Sequence, residues 1–317
     1  MTSFEPYIGP AAGVTTSLLW SFTSLFFTAA SRRLGATKVN VVRIFMAVTL
    51  LGITHRLLNG TWIPAAQPRQ VFYLALSGLI GLSIGDLALF TAFVRIGPRL
   101  TMLVMTAAPV FAALFGWLAL GEVPRGLAWV GMGLTISGIC WVVMERPPQA
   151  IAATATNRLS GLTLAIIATA CQATGLLLSK QGIGHGWLPR EQHLSPQTAT
   201  LIRMFFAGLF VIPTAVWLVA RQRLGSRLTV TTSPARRRAG YLFAFCGSVV
   251  GPFLGVWLSL VASDRCSLAV AQTTMSLTPI FILPWVVLLH HEHVSRRAVG
   301  GAFLAVAGIA LLFAQRN

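Results

Sequence analysis

Residues 288–297 read LLHHEHVSRR, and His290, His291 and His293 around Glu292 make the densest set of ligating and proton-transferring side chains in the sequence. Imidazoles and a carboxylate at that density could hold a divalent cation or shuttle protons. The spacing argues against both. Side chains at 290, 291 and 293 fan out around a helix, and the HExxH pattern that sets two imidazoles on one helix face is absent. Asp86, in GLSIGDLALF, is a carboxylate inside an apolar stretch. It could couple protons or face a substrate amine, or it could be a neutral or paired structural group, with Arg43 or Gln172 as partner. Arg43 and Arg203 read in two ways, as headgroup anchors or as bidentate grips on a substrate carboxylate or phosphate. Trp20, Ser24 and Gln172 add amphipathic or polar surface, and Trp20 could stack on a substrate or pack in lipid.

The surroundings of these groups decide what they can do. The 317 residues are 55% hydrophobic and 10% charged, against about 25% charged in soluble domains. Apolar runs recur at 12–31, 39–58, 71–94, 100–120, 126–144, 160–179, 197–220, 239–262, 267–289 and 298–314. Most match the roughly 20 residues that cross a bilayer as a helix. Lipid offers no hydrogen bonds, so such runs must be helical. The expectation is an all-α membrane protein with ten transmembrane helices. The formal charge of +17 then belongs to connections facing headgroups, and no soluble basic domain exists to bind nucleic acid. Cys140, Cys171, Cys246 and Cys266 are widely spaced, which suits small buried residues better than disulfides or zinc. Residues 1–11 lack Lys and Arg, so a cleaved leader is not expected. GLIGLSIG at 78–85 follows no strand, and GxxxxGK[ST] is missing, so no nucleotide loop is read. No cofactor and no resident metal are expected.

Laying 85–144 over 255–314 without a gap aligns Gly85 with Gly255, Arg95 with Arg265, Met105 with Met275, Pro109 with Pro279, Glu122 with Glu292, and Gly138 with Gly308. Arg43-Ile-Phe-Met-Ala likewise matches Arg203-Met-Phe-Phe-Ala, and Ser31-Arg32 matches Ser179-Lys180. The chain reads as two five-helix repeats, 12–144 and 160–314, and an odd helix number inverts the second. The repeat also settles the reading of the histidines. Glu292 answers to Glu122 in LALGEVPRG, which has no histidine, so both glutamates are read as structural helix-end groups near the start of the following helix. Pro109 and Pro279 should kink their helices and free the carbonyls of Met105 and Met275, with Thr106, Ser276 and Thr278 at hand to re-satisfy them. Small residues such as Gly131, Gly133 and Ser137 suit close helix packing.

GDLALFTAFVRIGPRLTMLVMTAAPVFAALFGWLALGE followed by GMGLTISGICWV, and its partner from GVWLSLVASDRCSLAVAQTTMSLTPIFILPWVVLLHHE into GGAFLAVAGIALL, resemble the EamA branch of the drug/metabolite transporter superfamily. The resemblance runs from about residue 12 to residue 314. It implies ten helices, two inverted repeats, a shared central cavity, and movement of amino acids, other metabolites or toxic compounds, often outward. It also implies both termini in the cytoplasm, whereas the Lys and Arg distribution, dominated by 221–240, points the other way.

The expected function is secondary active export of a small organic metabolite, amino-acid-like or drug-like, by alternating access. The site would draw on Asp86, Trp20, Ser24, Gln172, Arg43 and Arg203, with Pro109, Pro279, Thr106 and Thr278 shaping the cavity. Partners are the small-molecule substrate, membrane lipids and a coupling proton, and the location is a bacterial inner membrane. A lipid-linked flippase on the same fold and a metal-dependent membrane enzyme built on His290–His293 are the alternatives. Oligomeric state leaves no mark in the sequence.

Overall fold

Backbone groups in the apolar runs pair within helices. In the computed structural model, which describes residues 5–34, 36–105, 107–123, 126–144, 155–225, 233–278, 280–281 and 296–314, no strand occurs among the described residues. The first part holds α1 (Ile8–Leu34), α2 (Ala36–Asn59), α3 (Pro68–Ser77), α4 (Gly85–Met105), α5 (Ala108–Leu120) and α6 (Leu127–Met144). The second holds α7 (Ala155–Ile183), α8 (Pro196–Gly225), α9 (Pro234–Ser248), α10 (Val256–Arg265), α11 (Leu268–Met275) and α12 (Arg296–Ala314). Two π-helical stretches, Gly78–Ile84 and Val249–Gly255, join α3 to α4 and α9 to α10. Pro252 has no N–H to give the ladder, a ready cause for widening in the second stretch. The glycine-rich 78–85 segment is thus a widened turn inside a membrane-type helix.

Cross-contacts fix the chain path. Leu74 packs on Gly182, Gly81 on Gly175, Gly85 on Cys171, and Ile96 on Gly161, so α3 and α4 run antiparallel to α7. Met105 then accepts a hydrogen bond from Thr169 Oγ1 at 3.2 Å. A straight helix would carry Met105 about 13 Å beyond Ile96, away from Thr169. The chain therefore doubles back between Ile96 and Met105, near Gly97-Pro98, where Pro98 has no N–H to carry the helical ladder on, and the backbone is helical on both sides of the reversal. The gap between the sequence runs ending at 94 and beginning at 100 falls at this reversal.

The second part repeats the scheme on α1. Gly240 meets Leu34, Gly247 meets Phe27, Gly251 meets Thr23 and Gly255 meets Trp20, while Thr274 of α11 returns to Gly13. Helices α5 and α11 lie antiparallel, with Ala113 beside Ala269 and Gly116 beside Leu268. It follows that α1 and α7 point in opposite directions.

Among the described residues, five stretches are long and apolar enough to cross a membrane as helices: Lys38–Asn59, Pro68–Leu89, Leu159–Ile183, Pro196–Pro213 and Pro234–Arg265. Ala108–Leu120, Leu127–Gly138 and Val299–Gly308 are shorter apolar helices. The expected runs 100–120 and 267–289 differ most from single spans, because the helix stops at Met105 and again at Met275. Large apolar side chains face outward, with Phe45 68% and Phe303 73% exposed. Such a surface suits lipid tails.

One close crossing sets α7 against the first π stretch. A Cβ on Gly175 would sit 2.8 Å from Gly81 Cα. Backbone cannot yield as a flexible side chain can, so Gly175→Ala is expected to destabilise by about 1–3 kcal/mol. Thermal unfolding in detergent reads this directly, and an unchanged melting temperature would mean that the crossing is looser than described.

Candidate functional site

Arg43, Arg203 and Asp86 face the interior of the bundle. Arg43, two turns into α2, donates from Nε to Asn40 Oδ1 at 2.7 Å and from Nη2 to Asp86 Oδ2 at 2.7 Å. Both partners of this ion pair are mostly buried. Asp86 stands in the first turn of α4, just after the π stretch. Of the partners expected for Asp86, the structure selects Arg43 rather than Gln172.

Arg203 is different. It lies on α8 at 4% exposure, so it does not snorkel to headgroups. Its guanidinium rests where Gly81 and Gly175 cross. A Cβ on Gly81 would lie 2.9 Å from Nη2, and one on Gly175 would lie 3.3 Å away. The two missing side chains make the room. Arg203 Nε is buried with no hydrogen-bond partner, and no acceptor for the guanidinium occurs among the described residues. Asp86 acts on it only through its field. A buried cation without an acceptor is costly unless something supplies one.

Trp20 and Ser24 lie elsewhere, on α1 against the second π stretch. The Trp20 indole packs on Gly255, and Ser24 Oγ donates to Ser21 O at 2.7 Å within its own helix. Gln172, next to Cys171 on α7, is half-buried. No hydrogen bond or ion pair joins Trp20 or Gln172 to the Arg43–Asp86 pair among the described residues.

Pro109 is buried in the first turn of α5. Helix α4 ends at Met105 and Val110 N–H bonds Ala107 O at 3.0 Å, so the expected mid-helix kink is a stop and restart, with proline where its missing N–H is harmless. The second part behaves alike. Ile280 N–H bonds Leu277 O at 2.8 Å, and Thr278 Oγ1 donates to Met275 O at 3.1 Å, the carbonyl freed by proline at 279. Thr106, Pro279, Glu292 and the three histidines beside Glu292 lie outside the described residues.

Glu122 does more than mark a helix end. One carboxylate oxygen accepts the backbone N–H of Leu268 at 2.7 Å, capping α11 from the other part of the chain rather than the helix that follows Glu122. The other oxygen pairs with Lys180 on α7, which also donates to Cys266 O at 2.7 Å. Position 98, which the repeat sets against Leu268, is proline and offers no N–H to Glu292. Glu122, Lys180, Asp264 and Cys266 line a polar cavity of about 310 Å³. A larger groove of about 950 Å³ between α4 and α7 is lined by Leu87, Thr91, Thr163 and Ile167 and holds none of the Arg43, Asp86 and Arg203 set.

Sequence reading missed Lys180 as a functional side chain and passed over Asp264. A lysine at the edge of the apolar run LLLSK was the available signal. No curated protein matches this chain in sequence. A solved structure titled "Crystal structure of protein" is similar over 96% of both chains with a TM-score of 0.71 at 17% identity, a likeness of fold. Residues 7–144 and 159–314 both match the EamA-like transporter family. The chain therefore belongs to the EamA-like transporter family, membrane transporters of the drug/metabolite transporter superfamily.

Proposed function

We propose that this protein is a secondary transporter, working outward across a bacterial inner membrane, whose substrate is a small organic metabolite bearing a carboxylate, as an amino acid does. The single observation that carries the reading is Arg203, a buried guanidinium seated against two glycines, whose Nε has no hydrogen-bond partner among the described residues. Arginine presents a planar fork that fits a carboxylate bidentately.

The repeat supports it. In the first half Arg43 has Asp86; in the second, Val256 stands in the place of Asp86 and is buried in the apolar core. Among the described residues nothing takes that place for Arg203, and a substrate carboxylate would supply the acceptor. The two halves act as inverted five-helix repeats, ten spans in all, a reading favoured by the matching π stretches and by the opposed directions of α1 and α7. Arg43 and Asp86 belong to the first half and Arg203 to the second, so rocking of the halves would alter the field at the substrate. Asp86 is the coupling group: protonation would release Arg43 and change the charge facing the substrate.

The test compares growth medium from cells overproducing the protein, cells carrying Asp86→Asn, and cells with neither, at equal membrane levels. The expected result is one or a few carboxylate-bearing compounds enriched outside only with the unaltered protein. Identical media in all three would contradict export and the role of Asp86.

A further inference from the structure

The connection between α7 and α8 folds back to the end of α10 and brings two histidines to an aspartate. His185 Nε2 lies 2.8 Å from Asp264 Oδ1, and the His185 and His193 ring centroids are 4.6 Å apart. One ligating atom from each of His185, His193 and Asp264 fits within 4.8 Å of the others. All three side chains are half-buried.

The backbone is shaped for this approach. Gly184 and Gly186 have φ of 131° and 87°, in the left-handed region that favours glycine. A Cβ on Gly184 would lie 2.7 Å from His193 Cδ2, so a larger residue would push the ring away. His193 Nε2 lies 3.2 Å from Leu188 O. Donation of an Nε2 proton there leaves Nδ1 as a lone-pair donor, the arrangement that orients metal-bound imidazoles. Arg265 Nε lies 3.4 Å from Asp264 Oδ2 and its Nη1 lies 3.7 Å from Glu5, which leaves Oδ1 facing the histidines.

We propose that His185, His193 and Asp264 form a site for a divalent transition-metal ion, with Zn²⁺ the best match. Two imidazoles and a carboxylate are its usual donors, and a tetrahedral ion would keep one position open. Mg²⁺ and Ca²⁺ favour all-oxygen shells. A bound ion ties the α7–α8 connection to the end of α10, beside Glu122 and Lys180, and so stiffens one end of the bundle. This site shares no residue with Arg203 and stands or falls independently of the transport reading.

Protein purified without a polyhistidine tag is titrated with Zn²⁺ by calorimetry. The expected result is one equivalent bound and a raised melting temperature. His193→Ala and Asp264→Asn should each weaken binding at least about tenfold. A variant with His290, His291 and His293 all changed to Gln should bind as before. No stoichiometric zinc in the wild type, or zinc lost with the 290–293 changes and kept in His193→Ala, overturns the site. Should the site variants fail to fold, protection of His185 and His193 from diethyl pyrocarbonate by Zn²⁺ decides on the wild type alone. Protection supports the site, and equal labelling with and without zinc overturns it.

Discussion

Arg203→Met is expected to give a protein that melts higher than wild type and has lost at least about tenfold in transport. The two effects share one cause. The residue is buried at 4% exposure and its Nε has no partner among the described residues, so folding removes a cation from water with little in return. Replacing buried ionic groups with apolar ones of similar volume often stabilises by about 1–4 kcal/mol. Met follows the Arg stem over much of its length and leaves Gly81 and Gly175 in contact. Charge-assisted hydrogen bonds contribute about 1.5–3 kcal/mol each, so loss of the two-bond fork costs the substrate about two to four orders of magnitude in binding. Arg203→Lys should fall between, since it keeps charge without the planar geometry. Melting curves and transport assays on the same preparations check this. A Met variant that unfolds more readily and transports normally would make Arg203 a structural residue.

Glu122→Gln is expected to destabilise by about 3–5 kcal/mol, the range for removing one partner of a buried ion pair. Lys180 would be left with the Cys266 carbonyl as its remaining acceptor at 5% side-chain exposure. The amide could still accept from Leu268 N–H, so the loss falls on the charge rather than on the helix cap. Lys180→Met should cost less, because the Glu122 side chain is 20% exposed and keeps the backbone bond. The double variant should be close to Lys180→Met alone. A double-mutant cycle in thermal or denaturant unfolding measures the coupling. Simple additivity would mean that the pair adds nothing as a pair.

Much of the fold was legible because lipid restricts the alternatives. Apolar runs of membrane length had to be helices, and the aligned Gly85/Gly255, Pro109/Pro279 and Glu122/Glu292 pointed to duplication. Where a helix stops was less legible. Met105 reads as mid-run, but α4 ends there and α5 restarts just ahead of Pro109. The Arg43–Asp86 pair was among the partners foreseen, since the chain offers few charges inside apolar runs. The burial of Arg203 was not. Its depth in sequence is the same as that of a snorkelling arginine, and only the crossing of Gly81 and Gly175 shows that the side chain turns inward. Glu122 was read as serving the helix that follows it in sequence, whereas its carboxylate accepts from the first N–H of a helix that begins 146 residues later. The set of His185, His193 and Asp264 was invisible for the same reason, because no local spacing connects a loop to a helix end 79 residues away.

The most direct measurement is exchange by purified protein in proteoliposomes. The vesicles are loaded with the compound found in the medium and challenged with its labelled form or with the amide that replaces its carboxylate. The account predicts rapid exchange of the carboxylate, weak exchange of the amide, and loss of the difference in Arg203→Met. Equal exchange of acid and amide by the unaltered protein would contradict it.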